Sequence, residues 1–418
     1  MPDSPARRAP WQFTLCWLTV LLEGFDLVAL GATSLALRHA PHLQMTPSRL
    51  TLVSTLSLVG VALGSALFAP LGDVMGRRKV LLGSVASFSV LTLVLPLSPN
   101  IAVFAALRLL AGLGLGACMP VALTSMSEHW PAARRTKANT ITMTGYHVGA
   151  VLASLLALAV TGDWQILFYV NGVAGLALVA LMWFKLAETR VPRTGDASPA
   201  PAARATVADL LRPRYLRTTI AVWVATFMGL ILVYGLNTWI PVLMKTAGYS
   251  VSASVTLLFV LNAGGVAGML LAGFTGDARG ISRTAFAWFG IAAVLLAVLS
   301  IRLHVASLLD VLMFLTGVFA FSAQIIVFTY VSEAYPALVR GSALGLASGV
   351  GRIGAIVGPF ITGVLVSSGV AYPWGFYFFA AAAVLGVVAM AVAPRVARPS
   401  NAADAADAAG RPASVTTA

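Results

Sequence analysis

The chain repeats itself at a fixed distance. The string SEHWPAARR, from Ser127 to Arg135, returns 205 residues later as SEAYPALVR, from Ser332 to Arg340, with serine, glutamate, proline and arginine at matching places. A second pair keeps almost the same spacing: Gly72 and Asp73 in GDVMGRR recur 204 residues on as Gly276 and Asp277 in GDARGISR. Two landmarks at one offset indicate that one half was duplicated. Each lies between long apolar stretches, so the repeating unit is a block of membrane helices rather than a soluble repeat of roughly 20–50 residues. Parallel halves related by an axis along the membrane normal are an architecture of secondary transporters, whose substrate site lies between the halves near mid-membrane.

Composition agrees. Apolar residues make up 59% of the chain and charged residues 10%, against about 25% charged in soluble domains. A hydrocarbon core of about 30 Å needs about 20 apolar residues per helix. Twelve such segments start near Trp11, Thr51, Arg78, Asn100, Thr136, Trp164, Arg217, Ser252, Arg283, Val305, Gly341 and Tyr372. They are too long and too uniformly apolar for barrel strands. The expected fold is an all-α membrane protein of twelve transmembrane helices in two pseudo-symmetric six-helix bundles, residues 1–187 and 217–394. A linker at 188–216 and a disordered tail at 395–418 complete the expected organisation. Within the linker, VADLLRPRYLR reads either as a short amphipathic surface helix or as the lead-in to the seventh segment.

The net charge of +13 signals topology rather than nucleic acid. Arg38, Arg49, Lys245 and Arg302 fall on one side, Arg108 and Arg352 lie within segments, and the other twenty-one of the 27 Lys and Arg share the side of the N-terminus. That bias places both termini in the cytoplasm, and no nucleic-acid-binding motif accompanies it. The first segment is too long for a signal-peptide core of about 7–15 residues and is expected to remain in the mature protein. Cys16 and Cys118 fall inside predicted helices, so they read as packing residues, and no metal-ligand spacing is present.

Ionisable groups within lipid are costly and mark candidate function. The first segment carries Glu23 and Asp26, three residues apart on one face. Asp26 lies about 22 Å along the helix at 1.5 Å per residue, near mid-membrane, where a carboxyl is a natural proton carrier. The fourth segment supplies Arg108 at a comparable depth. An arginine keeps its charge and needs an anion, either a side-chain carboxylate or a substrate. Arg352, flanked by glycines in GVGRIGAIVGP, falls at the position that the 205-residue offset assigns to His147. Asn237 and Trp239 in the seventh segment, and Gln324, Phe328 and Tyr330 in the tenth, supply the aromatic wall and few polar groups that suit a flat ligand. Each of these is equally an ordinary packing residue.

These residues resemble the major facilitator superfamily over nearly the whole chain. LGDVMGRRK is similar to its cytoplasmic signature, with Asp73, Gly76, Arg77 and Arg78 in place and Val74 departing from the usual basic residue. More narrowly, EGFDLVALG, RLLAGLGLGACMP, LNTWIPVLM and RGSALGLASGVGRIGA resemble the aromatic acid:proton symporters. The resemblance implies import of a benzoate-like or hydroxybenzoate-like carboxylate by alternating access. It also implies functional positions at Asp26, Asp73, Arg108, Glu128, Arg340 and Arg352.

Proton coupling is expected of Asp26 and Glu23. Substrate contact is expected of Arg108, Arg352, His147, Asn237, Trp239, Gln324, Phe328 and Tyr330, and cytoplasmic gating of Asp73, Arg77, Arg78, Glu128, Arg135, Glu333 and Arg340. A proton gradient is the energy source. No cofactor, metal or enzymatic chemistry is expected, because no nucleophile–base pair or phosphate loop is seen. The expected setting is a bacterial-type inner membrane, with membrane lipid, protons and a small aromatic carboxylate as partners, no nucleic acid, and a monomeric state. The competing expectations are a same-fold transporter of another organic acid, a drug or metabolite exporter, and a membrane sensor that binds an aromatic acid without moving it.

Overall fold

The computed structural model describes residues 5–129, 132–160, 162–187, 210–303 and 305–395. Twelve helices among them are long and apolar enough to cross a membrane. The first half comprises α1 Pro5–Ala32, α2 Pro47–Leu67, α3 Arg77–Val94, α4 Ile101–His129, α5 Ala132–Ala159 and α6 Trp164–Lys185. The second comprises α7 Pro213–Thr246, α8 Val251–Arg279, α9 Ile281–Val298, α10 Ala306–Ala334, α11 Ala337–Ser367 and α12 Ala371–Val392. Helices are the physical outcome here, because lipid offers no partner for backbone N–H and C=O groups. Apolar side chains such as Val173, Phe274 and Val294 accordingly cover the outer faces.

The duplication is visible in backbone detail. Thr46 caps the start of α2 and Ser250, 204 residues on, caps α8; in each, a side-chain oxygen accepts from the backbone N–H three residues ahead, at 3.3 and 3.1 Å. This satisfies one of the orphan donors of a helix N-terminus. Gly76 and Gly280, also 204 apart, open α3 and α9 at φ of 98° and 86°. L side chains rarely adopt that region, so the glycine in each GD-x-x-G loop is a backbone requirement.

Close helix approach repeats as well. A Cβ added at Gly60 or Gly64 of α2 would fall 2.2 or 2.0 Å from the Leu109 or Leu113 carbonyl of α4. At Gly264 and Gly268 of α8 it would fall 2.0 and 2.2 Å from the Phe314 and Val318 carbonyls of α10. Small residues let membrane helices pack backbone to backbone, and here they do so at matching positions in both halves.

The halves meet along α2 against α11, α5 against α8, and α1 against α7. Ser48 bonds Ser367 at 3.2 Å, and Gly363 leaves room for Thr51. Gly31 lies against the Asn237 carbonyl. These contacts sit toward the side opposite the N-terminus and close that side of the central space.

The expected linker and tail fall mostly on residues 188–209 and 396–418, outside the described residues. Where the linker is described, Leu210 is helical, residues 211–212 turn, and Pro213 begins α7.

Candidate functional site

α1, α3, α4 and α6 bring their polar groups to one buried point. Asp26 accepts from Arg108 Nη1 at 2.5 Å through Oδ1. Its Oδ2 accepts from the Thr92 hydroxyl at 2.7 Å and the Asn171 amide at 3.0 Å. Arg108 Nη2 donates to Ser57 Oγ at 3.0 Å, and both charged side chains are buried. A buried ion pair holds only when further hydrogen bonds satisfy its remaining lone pairs and protons. Thr92, Asn171 and Ser57 provide three of them, and Arg108 Nε alone of the pair's polar atoms has no hydrogen-bond partner among the described residues. The charge scan of the sequence missed these three because they are neutral, although an asparagine in the apolar run of α6 is itself a signal.

Glu23, one turn before Asp26 on α1, has the opposite environment. Among the described residues, both its carboxylate oxygens are buried without a hydrogen-bond partner. The Met119 backbone and the Arg352 guanidinium lie near it, but among the described residues no donor meets hydrogen-bonding geometry. Beside it, Tyr146 of α5 and Tyr234 of α7 place their rings 6.2 Å apart across the boundary between halves.

These tyrosines separate two spaces. On one side is a cleft of about 10 Å³, lined by Arg108, Ser57 and Asn237, which has room for about one water. On the other is a central cavity of about 90 Å³, lined by His147, Phe321, Gln324, Phe328 and Arg352 among others. Arg352 Nη1 donates to the Tyr234 hydroxyl at 3.4 Å. The cavity therefore holds one cation, an aromatic wall and a few polar groups.

A neutral polar chain joins the halves beside the cavity. His147 Nδ1 lies 3.0 Å from Asn262 Oδ1, and Asn262 Nδ2 donates to Asn237 Oδ1 at 2.8 Å. The ring of His147 stacks on Phe321, with centroids 4.8 Å apart and planes 21° apart. Asn262 was not among the candidates read from the sequence; it is a neutral residue between Leu261 and Ala263, just before Gly264 and Gly265.

Two expected substrate residues need correcting. Trp239 is fully buried and donates from Nε1 to the Pro359 carbonyl at 2.8 Å, so it fastens α7 to α11. Tyr330 is also fully buried and donates its hydroxyl to the Pro394 carbonyl at 2.8 Å. Neither lines the central cavity; both aromatic rings had been read for their type, while their polar tips are committed to backbone. Asn237 and Arg108 line the small cleft rather than the larger cavity.

Of the expected gating residues, Arg78 donates to the Trp183 carbonyl and lays its guanidinium 5.9 Å from the Trp183 ring. Arg77 packs beside Gly72, and Arg340 Nε donates to the Tyr335 carbonyl at 3.2 Å. Glu333 is exposed at the end of α10. The side chains of Asp73, Glu128 and Arg135 lie outside the described residues.

Comparison with known proteins supplies the wider frame. The family model described as Major Facilitator Superfamily matches residues 16–351. The gentisate transporter of Corynebacterium glutamicum is 32% identical, over 91% of this chain and 86% of that protein. The gallate transporter of Pseudomonas putida is 31% identical over 86% of each. The benzoate transport protein of Acinetobacter baylyi is 29% identical over 92% of this chain and 90% of that one. Among solved structures, a D-xylose-proton symporter superposes with a TM-score of 0.72 at 18% identity, covering 92% of this chain and 98% of that one. A bacterial homologue of the human lysosomal transporter Spinster gives 0.70 at 16%, covering 92% and 96%. The solved structures share the fold; the sequence relatives extend over nearly the whole length.

Proposed function

We propose that this chain, which belongs to the major facilitator superfamily, imports an aromatic carboxylate together with a proton by alternating access. The gentisate, gallate and benzoate transporters among its relatives support the substrate class. The observation that carries the coupling is the contrast between two carboxyls one turn apart. Three donors fix Asp26, whereas none fixes Glu23. Glu23 can therefore gain or lose a proton without breaking a hydrogen bond.

Arg352 links the proton to the substrate. When ionised, Glu23 competes with a substrate carboxylate for the positive field of Arg352, with which it interacts. A proton on Glu23 removes that competition and leaves the guanidinium, a fork suited to carboxylates, to the substrate. Linkage is reciprocal, so a bound carboxylate also favours the protonated acid. The aromatic cavity wall of Phe321 and Phe328 encloses the ring. With its charge compensated, the loaded carrier can rock between its two states, while Asp26, of which proton coupling was expected along with Glu23, holds Arg108 as part of the first half's scaffold in this reading.

The excess of basic residues supports a cytoplasmic N-terminal face, and the membrane of this reading is a bacterial inner membrane. The loops carrying Asp73, Arg77, Arg78, Glu128, Arg135, Glu333 and Arg340 then close that side when the carrier faces outward. Exposed ion pairs are worth only about 0–1 kcal/mol each, so several act together.

The test is substrate-dependent proton influx. Proteoliposomes loaded with a pH-sensitive dye should acidify when benzoate or a hydroxybenzoate is added outside at constant external pH, at a rate above that of protein-free liposomes. Uptake of the acid with no extra acidification contradicts the coupling, and no uptake of any aromatic acid contradicts the substrate class.

A further inference from the structure

We propose that the central cavity selects an aromatic carboxylate bearing a ring hydroxyl over the unsubstituted acid, and that His147 and Gln324 read that hydroxyl. The proposal rests on the aromatic-carboxylate reading above and sharpens it.

The orientation of the polar chain fixes which atom of His147 is left for a ligand. Asn237 Nδ2 bonds the Val233 carbonyl at 2.8 Å and Asn262 Nδ2 lies 3.1 Å from the Leu258 carbonyl. A carbonyl can only accept, so both amides must present their NH2 groups to these oxygens. Asn262 Oδ1 therefore faces His147 Nδ1, which must be the donor. The neutral ring then carries its lone pair on Nε2, in a residue that lines the cavity. Stacking on Phe321 holds the ring in this plane.

Gln324 stands one helical turn beyond Phe321 on α10, on the same face, and so beside the stacked histidine. It is 4% exposed, and among the described residues neither Oε1 nor Nε2 has a hydrogen-bond partner. Gly229 makes room for it, because a Cβ there would fall 2.1 Å from Gln324 Oε1. Buried amides are seldom left unpaired, and here the lining of a cavity identifies the missing partner as a ligand group. A hydroxyl is both donor and acceptor. It can donate to His147 Nε2 while accepting from Gln324 Nε2, with the carboxylate of the same ligand on Arg352, across the cavity that all three line. An unsubstituted ring leaves these polar groups unpaired, and sites built around a substrate hydroxyl discriminate strongly against the analogue that lacks it.

The experiment measures half-saturating concentrations from the initial rate of carrier-dependent acidification inside dye-loaded proteoliposomes. The probes are benzoate, the three monohydroxybenzoates, and the methoxybenzoate matching whichever hydroxybenzoate is best. The best hydroxybenzoate should saturate at a concentration about tenfold or more below that of benzoate, the size of one lost buried hydrogen bond. Its methoxy counterpart, unable to donate, should lose the advantage. In Gln324→Leu, and separately in His147→Phe, the ratio between hydroxybenzoate and benzoate should shrink to within about threefold. Two variants on different helices guard against one that fails to fold.

Benzoate saturating as tightly as every hydroxybenzoate overturns the proposal, as does a ratio unchanged in both variants. Absence of carrier-dependent acidification with every acid overturns the underlying transport reading instead, which keeps the two failures distinct.

Discussion

Removing the carboxylate of Asp26 should cost far more than removing the ion pair whole. In Asp26→Leu, Arg108 remains almost fully buried with its 2.5 Å partner gone and Ser57 as its remaining acceptor. Stranding one member of a buried pair costs about 3–5 kcal/mol. The Thr92 hydroxyl and Asn171 amide lose their acceptor as well, each a further loss of about 1 kcal/mol or more. The double variant Asp26→Leu/Arg108→Met keeps the second loss but removes the stranded charge, so it should recover about 2–4 kcal/mol of the single variant's deficit. Thermal unfolding of the purified protein in detergent reads this as a midpoint lowered by several degrees in each single variant and partly restored in the double. The reasoning is refuted if the two single variants are as stable as the parent, or if their effects simply add.

Other perturbations isolate other parts of the account. Gly264→Leu places a side chain where even a Cβ falls 2.0 Å from the Phe314 carbonyl; it should separate α8 from α10 and cost at least 1–3 kcal/mol in overpacking, measured as lost thermal stability, whereas Gly273→Leu, with nothing within 4 Å, should be tolerated. Trp239→Phe removes the bond to Pro359 and should lower stability by about 1 kcal/mol without changing the order of preference among aromatic acids in competition assays. Asn262→Leu breaks both side-chain bonds that run through the inter-half chain. It should loosen the closed side, seen as faster reaction of a cysteine placed at the buried Thr51 with a membrane-impermeant thiol reagent.

Much of this arrangement can be read from the chain alone, for reasons that differ from residue to residue. The 204- and 205-residue offsets locate the matching helix starts at Gly76 and Gly280 because a positive φ leaves little choice of residue. Counting rise along two helices puts Asp26 and Arg108 at one depth, and the structure brings them together. A helix count, however, does not give rotation, so it cannot tell a ring that faces a cavity from one that faces a neighbouring helix. That is why Trp239 and Tyr330 were misplaced. Nor does a search for charge find Thr92, Asn171 and Asn262, whose importance comes from the geometry of groups on other helices. The separation of Glu23 from Asp26 depends on the same information: one turn apart on α1, they are distinguished by what α3, α4 and α6 bring to only one of them.

The most direct test compares these two carboxyls in transport. Proteoliposomes carrying Glu23→Gln should still exchange internal for external hydroxybenzoate at equal pH, yet lose accumulation driven by an acidic exterior. Accumulation that persists in Glu23→Gln at the parent's level would contradict the assignment of the proton to Glu23.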